Sequence, residues 1–121
     1  IVATDAPLLP HQLKRLARRV PLGMARTGTT GGHYSGDIFL AFSTANPGAA
    51  KRSGVQKLEM FANDEMDNLF SATVQAVEEA ILNALITATT MTGLNGRTSY
   101  ALPHNRVIQL LKQHHRIKET R

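Results

Sequence analysis

The run Tyr34-Ser35-Gly36-Asp37-Ile38-Phe39-Leu40-Ala41-Phe42-Ser43 narrows the possible folds most, because it is strand-like and apolar on both sides apart from one carboxylate. Alternate residues of a strand face opposite ways, so Ser35 and Asp37 share a face with Phe39 and Ala41, while Ile38, Leu40 and Phe42 line the other. Apolar residues on both faces predict a strand covered on both sides, as in a layered fold. A carboxylate entering such a strand must be hydrogen-bonded or paired, and the Ser35 hydroxyl is the neighbour at the right spacing. The competing reading is a strand-end turn in which Ser-Gly-Asp supplies only loop chemistry, and spacing alone favours it.

The rest of the pattern supports one domain or part of one. At 121 residues with 42% apolar composition, the chain can bury a core. No run approaches the roughly 18 consecutive apolar residues of a membrane span, so no membrane is expected. Without cysteine there can be no disulfide and no cysteine-ligated metal, and the compartment stays open. The net charge of +5 is uneven: Lys14, Arg15, Arg18, Arg19 and Arg26 form one basic block and Arg106 to Arg121 a second, offset only by Glu119. Asp64 to Glu79 is the acidic middle. Such a split fits nucleic acid, an anionic partner, or two surfaces that face one another.

Ile1 to Thr4 reads as a strand already in progress, and no signal-peptide pattern is present. The chain is expected to be the product of a cut, or to lack its first residues. Pro10 opens a helix whose stripe runs through Leu13, Leu16, Ala17, Val20 and Met24, leaving Lys14, Arg15, Arg18 and Arg19 wet. Pro21 falls inside the stripe and is expected to kink it. Val55 to Phe61 alternates with period two and predicts another strand. Asn63 is the expected N-cap of a helix of nearly thirty residues ending at Gly93, buried on most sides from Ala80 to Met91. Asn95-Gly96 marks a turn, and Pro103 opens a last helix. The order β-α-β-β-α-α predicts an α+β fold, a mixed sheet with helices packed on it.

Direct chemical signals are few. The five histidines show no H-x-x-x-H or H-E-x-x-H spacing, so neither a metal nor any other cofactor is expected. His11 and His104 read as helix-start or surface residues. His33 lies in the glycine loop, which lacks both phosphate-cradling patterns but could rim a pocket. No G-x-S-x-G elbow or triad is present, so if Ser35 and Asp37 are catalytic their base must come from elsewhere. Aromatic residues make up 5% of the chain and none interleaves with Lys14 to Arg19, which argues against nucleic acid.

Two runs carry a resemblance: Ile1–Arg26, opening I-V-A-T-D-A-P-L-L-P-H-Q-L-K-R-L-A-R-R, and Ser35–Asn46 (S-G-D-I-F-L-A-F-S-T-A-N). They resemble the L-aminopeptidase/D-alanine-esterase/amidases and β-peptidyl aminopeptidases, a family of self-processing hydrolases. The resemblance extends over the whole chain and is weaker in the tail. It implies a four-layer αββα sandwich like that of N-terminal nucleophile hydrolases, with residues 1–121 as the β-subunit portion. A separate α chain from the same precursor would complete the sandwich, and αβ units would assemble into oligomers. It also implies a nucleophile at the new N-terminal serine made by self-cleavage, with its own α-amino group as base. Here the first residue is Ile1, which would put that serine a few residues upstream, and a form truly starting at Ile1 should be inactive. The family residue that hydrogen-bonds the nucleophile maps onto Ser35. Its supporting carboxylate maps onto Asp37, where some members have Glu. Gly36 would allow close approach of a short peptide, amide or ester substrate. Two rivals remain: a non-catalytic polyanion- or protein-binding domain using Lys14 to Arg19, and an ornithine acetyltransferase-like enzyme with an N-terminal threonine.

Overall fold

A computed structural model describes residues 1–117, so Glu119 and Arg121 of the second basic block lie outside the described residues. The chain divides into two compact units, Ile1–Ala80 and Ile81–Arg121. In the first, β1 (Val2–Thr4) runs parallel to β2 (Ala41–Ser43), with Val2 opposite Ala41 and Thr4 opposite Ser43. Parallel neighbours need a long crossover. Helices α1 (Pro10–Ala17) and α2 (Val20–Arg26) supply it. The ladder is extended by Val2 N–H donating to the Leu40 carbonyl (2.8 Å) and Thr44 N–H to the Thr4 carbonyl (3.0 Å).

Pro10 stands in the first turn of α1, where its missing N–H is not needed. The single kinked helix expected around Pro21 is instead two helices separated by Arg18 and Arg19. Pro21 cannot donate to the Ala17 carbonyl, and its ring would collide with it. The chain therefore stops at Ala17 and restarts with Pro21 in a new first turn. At Gly23 the backbone of α2 meets α3 (Asp67–Thr87) so closely that a Cβ would lie 2.6 Å from the Val74 carbonyl oxygen and 2.7 Å from Val77 Cβ.

The core is Leu8, Leu16, Met66 and Phe70, flanked by Leu13, Phe61 and Leu69. At its edge lies Gln12, fully buried and fully hydrogen-bonded. Its Oε1 accepts from Leu9 N–H (3.1 Å), and Nε2 donates to the Phe61 carbonyl (2.7 Å) and to Asn63 Oδ1 (2.9 Å). This contact explains why Asn63 is not the N-cap expected of it. Its oxygen serves Gln12 and Arg15 (3.2 Å), Asn63–Glu65 forms a 3-10 turn, and the α-helix starts at Asp67.

The basic stripe is not wholly wet either. The Arg19 guanidinium lies 3.8 Å from the Phe70 ring centre and that of Arg15 5.0 Å, while Lys14 and Arg18 stay exposed. Long cationic side chains bury their stems and stack on a ring more readily than their charge suggests. Arg26 pairs with Glu78 at 3.0 Å.

Val55 to Phe61 is irregular rather than a strand. Alternation alone cannot make a strand without a backbone partner. Here the Asn46 side chain takes that place, accepting from Glu59 N–H (2.9 Å) and donating to the Glu59 carbonyl (3.1 Å), and Phe61 N–H reaches the Pro7 carbonyl.

Helix α3 has 21 residues and ends at Thr87, short of Gly93. The threonine-rich run Thr87 to Thr92 is a poor helix former, and Thr87 Oγ1 bonds back to the Asn83 carbonyl (2.8 Å). The burial expected of its later part is not provided by residues 1–117, since Leu82, Leu85 and Ile86 are 45%, 48% and 53% exposed. By length and composition alone α3 is apolar enough to cross a membrane, which the run-length reading did not register. The second unit continues with a hairpin of β3 (Met91–Thr92) and β4 (Thr98–Ser99). Asn95 and Gly96, with φ of 59° and 72°, turn it as expected of an Asn-Gly pair. Both parallel and antiparallel pairing thus occur, but in separate two-stranded ladders rather than one mixed sheet. Helix α4 (His104–Gln113) follows Pro103, and the His104 ring bonds the Ile86 carbonyl at 2.8 Å.

Candidate active site

The candidate residues leave β2 at its upstream end. Only Ala41–Ser43 pairs as a strand, with the Leu40 carbonyl accepting one further bond, and residues 35–39 have no regular secondary structure. Tyr34, Ile38 and Leu40 are exposed, and the two-sided cover expected of this run is not made by residues 1–117.

The local geometry nevertheless follows the alternation. Ser35 Oγ donates to Asp37 Oδ2 at 2.5 Å, a short charge-assisted bond on one face. Ser35 N–H is held by the Gly32 carbonyl (2.8 Å), which closes the turn after the glycine loop. Gly36 between them has open space at its α-carbon: a methyl group there would meet nothing within 4 Å. The carboxylate is therefore hydrogen-bonded, although Ser35 and Asp37 are exposed rather than enclosed in a covered strand, and the serine hydroxyl proton is committed to it. A hydroxyl held in this way presents its lone pairs outward, ready to accept a hydrogen bond from a third group.

Beside the pair opens a cleft of about 440 Å³, walled by Pro21, Met24 and Ala25 of α2, by Thr29 to Gly31, and by Ser35, Asp37 and Phe39. The loop's path depends on Gly28 and Gly31, whose φ values of 102° and 60° lie in the region that favours glycine. The sequence pointed to this loop as a pocket rim. Nothing in it marked Met24, whose place in the helical stripe reads as core. His33 does not line the cleft; its ring packs edge-on against Tyr34 at 4.9 Å. Among the described residues, no histidine lines the cleft or hydrogen-bonds the Ser35–Asp37 pair.

Residues 1–99 match the model of peptidase family S58. The β-peptidyl aminopeptidase BapA of Sphingosinicella microcystinivorans is 50% identical over 118 residues, 97% of this chain and 30% of the relative. Among solved structures, a protein of Pyrococcus horikoshii OT3 superposes with a TM-score of 0.84 at 41% identity, over 93% of this chain and 32% of that one. The L-aminopeptidase D-Ala-esterase/amidase of Ochrobactrum anthropi, described as a variant of the Ntn hydrolase fold, gives 0.81 at 44% identity, over 94% and 32%. The chain thus spans less than a third of the curated relatives it matches, and its α+β elements form a portion of that fold. With a match across residues 1–99 and half of all positions shared with a curated relative, this chain belongs to peptidase family S58.

Proposed function

We propose that residues 1–121 are the β-subunit portion of one two-chain αββα domain, in a self-processing aminopeptidase that removes N-terminal residues from short peptides, amides or esters. An α subunit cut from the same precursor would supply the remaining layers and the oxyanion-stabilising groups, and αβ units would assemble further. The observation that carries the reading is the Ser35–Asp37 hydrogen bond beside a parallel strand. In a chain that continues upstream, the β1–β2 register would set the residues three to five places before Ile1 opposite Asp37, Gly36 and Ser35. A nucleophilic serine in that window would lie against the pair.

Its hydroxyl would attack the carbonyl of the substrate's first peptide bond, while its own α-amino group takes the proton. That amine, with a reference pKa of about 7.7–8.0, needs little adjustment to act near neutrality. The proton then passes to the departing amine, and water, activated by the same group, releases the acyl residue from the serine ester. In this scheme Ser35 orients the nucleophile or relays its proton, and Asp37 holds Ser35. Ser35→Ala and Asp37→Ala in the intact precursor should each lower aminopeptidase turnover at least about tenfold, as a lost proton-transfer group does. Wild-type rates in both variants would refute the assignment.

The polyanion-binding alternative is weakened because Arg15 and Arg19 engage Phe70 and Arg26, though exposed, is paired with Glu78, which leaves Lys14 and Arg18 as the exposed cations outside these contacts. A threonine-based acetyltransferase differs in the nucleophile itself, so sequencing the mature N-terminus of the β subunit decides between the two enzymes.

A further inference from the structure

The cleft beside the Ser35–Asp37 pair is not accounted for by the proton chemistry. Its far wall is Pro21, Met24 and Ala25, three residues on one face of α2, and Phe39 closes it from the strand side. Ser35 and Asp37 form part of the same lining, so whatever occupies the cleft touches the catalytic pair. The polar lining comes from the Thr29–Gly31 rim and from Ser35 and Asp37 themselves. An apolar wall with a few polar groups at one edge is the usual make-up of a small-ligand site, and about 440 Å³ lies within the usual range.

Resting on the reading above, we propose that this cleft receives the apolar side chain of the residue that becomes acylated, and that Met24 and Ala25 set its size limit. The acyl residue is the better occupant than the departing amine because it stays bonded to the nucleophile through both steps, whereas the amine leaves after the first. A pocket that shares its lining with the supporting pair contacts the part of the substrate that remains. Met24 is only partly buried and unbranched, so its side chain can yield to different shapes. Ala25 is exposed, so a larger residue at that position extends into the cleft without displacing core.

The test uses the mature two-chain enzyme and two substrate series. One is a set of p-nitroanilides whose acyl residue grows from alanine through valine and leucine to phenylalanine. The other keeps alanine as acyl residue and varies the departing amine. A methylene-scale change in an apolar pocket shifts kcat/KM by about 10–200-fold. Ala25→Leu should therefore lower the leucine-to-alanine ratio of kcat/KM at least about tenfold. Met24→Ala should move the ratio of phenylalanine to alanine in the opposite direction. Leu22→Ala, on an exposed part of α2 outside the cleft, should leave both ratios alone. Equal changes across the acyl series, or ratios that follow the departing amine instead, would overturn the proposal. The outcomes separate cleanly from those of the functional reading. If Ser35→Ala and Asp37→Ala remain fully active, the reading itself fails. If they lose activity while Ala25→Leu leaves the acyl ratio unchanged, only the pocket assignment fails.

Discussion

Gly23→Ala is the substitution whose effect the structure specifies most sharply. In an ordinary helix the change stabilises, because alanine exceeds glycine by about 1 kcal/mol in helix propensity. Here the added methyl would meet the Val74 carbonyl oxygen at 2.6 Å, Val77 Cβ at 2.7 Å and Val77 Cγ1 at 2.9 Å. Ordinary carbon contact lies at roughly 3.5 Å or more, so α2 and α3 must separate by nearly an ångström. One of the opposing atoms is main chain and cannot rotate away. Overpacking of this kind costs about 1–3 kcal/mol, and because a main-chain atom is among the contacts the upper part of that range applies, leaving a net loss of up to about 2 kcal/mol after the propensity gain. Urea unfolding of the assembled enzyme, followed by circular dichroism, measures it against Ala25→Gly, an exposed site of the same helix where only propensity acts. Adding Val77→Ala to Gly23→Ala should return part of the loss, while the contact with the Val74 carbonyl persists. A Gly23→Ala protein as stable as the parent, or more so, would refute the close-approach reasoning.

Gln12→Ala removes a buried amide and strands the Leu9 N–H among apolar neighbours, so a loss of about 2–3 kcal/mol is expected in the same unfolding assay. Gln12→Glu should do no better, because the Nε2 donor to the Phe61 carbonyl and Asn63 disappears and a charge is buried. Asn46→Ala should speed hydrogen exchange at the Glu59 amide at least about tenfold, the equivalent of one lost hydrogen bond of roughly 1.4 kcal/mol, while amides of the α3 core stay protected. Exchange at Glu59 that is indifferent to the change would show that another contact holds the segment.

Features that a few neighbouring residues decide were readable in the sequence. The period-two spacing of Ser35 and Asp37 foretold their contact, Pro10 foretold a helix start, and Asn95-Gly96 foretold a turn at positive φ. Features decided by distant partners were not. Val55 to Phe61 alternates as a strand should, yet the Asn46 side chain supplies its hydrogen bonds and no neighbouring strand does. Gln12 reads as one more polar position on a basic helix, because its role depends on carbonyl and amide groups about fifty positions away. Arg15 and Arg19 count as solvated charge for the same reason: Phe70 lies far along the chain. Composition predicts a buried apolar face of α3 near Leu85, and residues 1–117 do not bury it.

If the proposed self-processing holds, the pairing of Val2–Thr4 with Ala41–Ser43 bears on its timing. The two strands are nearly forty residues apart in sequence, and the chain between them carries α1, α2 and the glycine loop. Contacts across so long a loop form late, since closure entropy is met before the pairing rewards it. On the proposed mechanism, Ser35 and Asp37 therefore cannot reach the upstream serine in a half-folded precursor. Self-cleavage becomes a clock started by tertiary folding, and a lesion in α1 or α2 would appear as uncut precursor, with turnover lost in proportion to the uncut fraction.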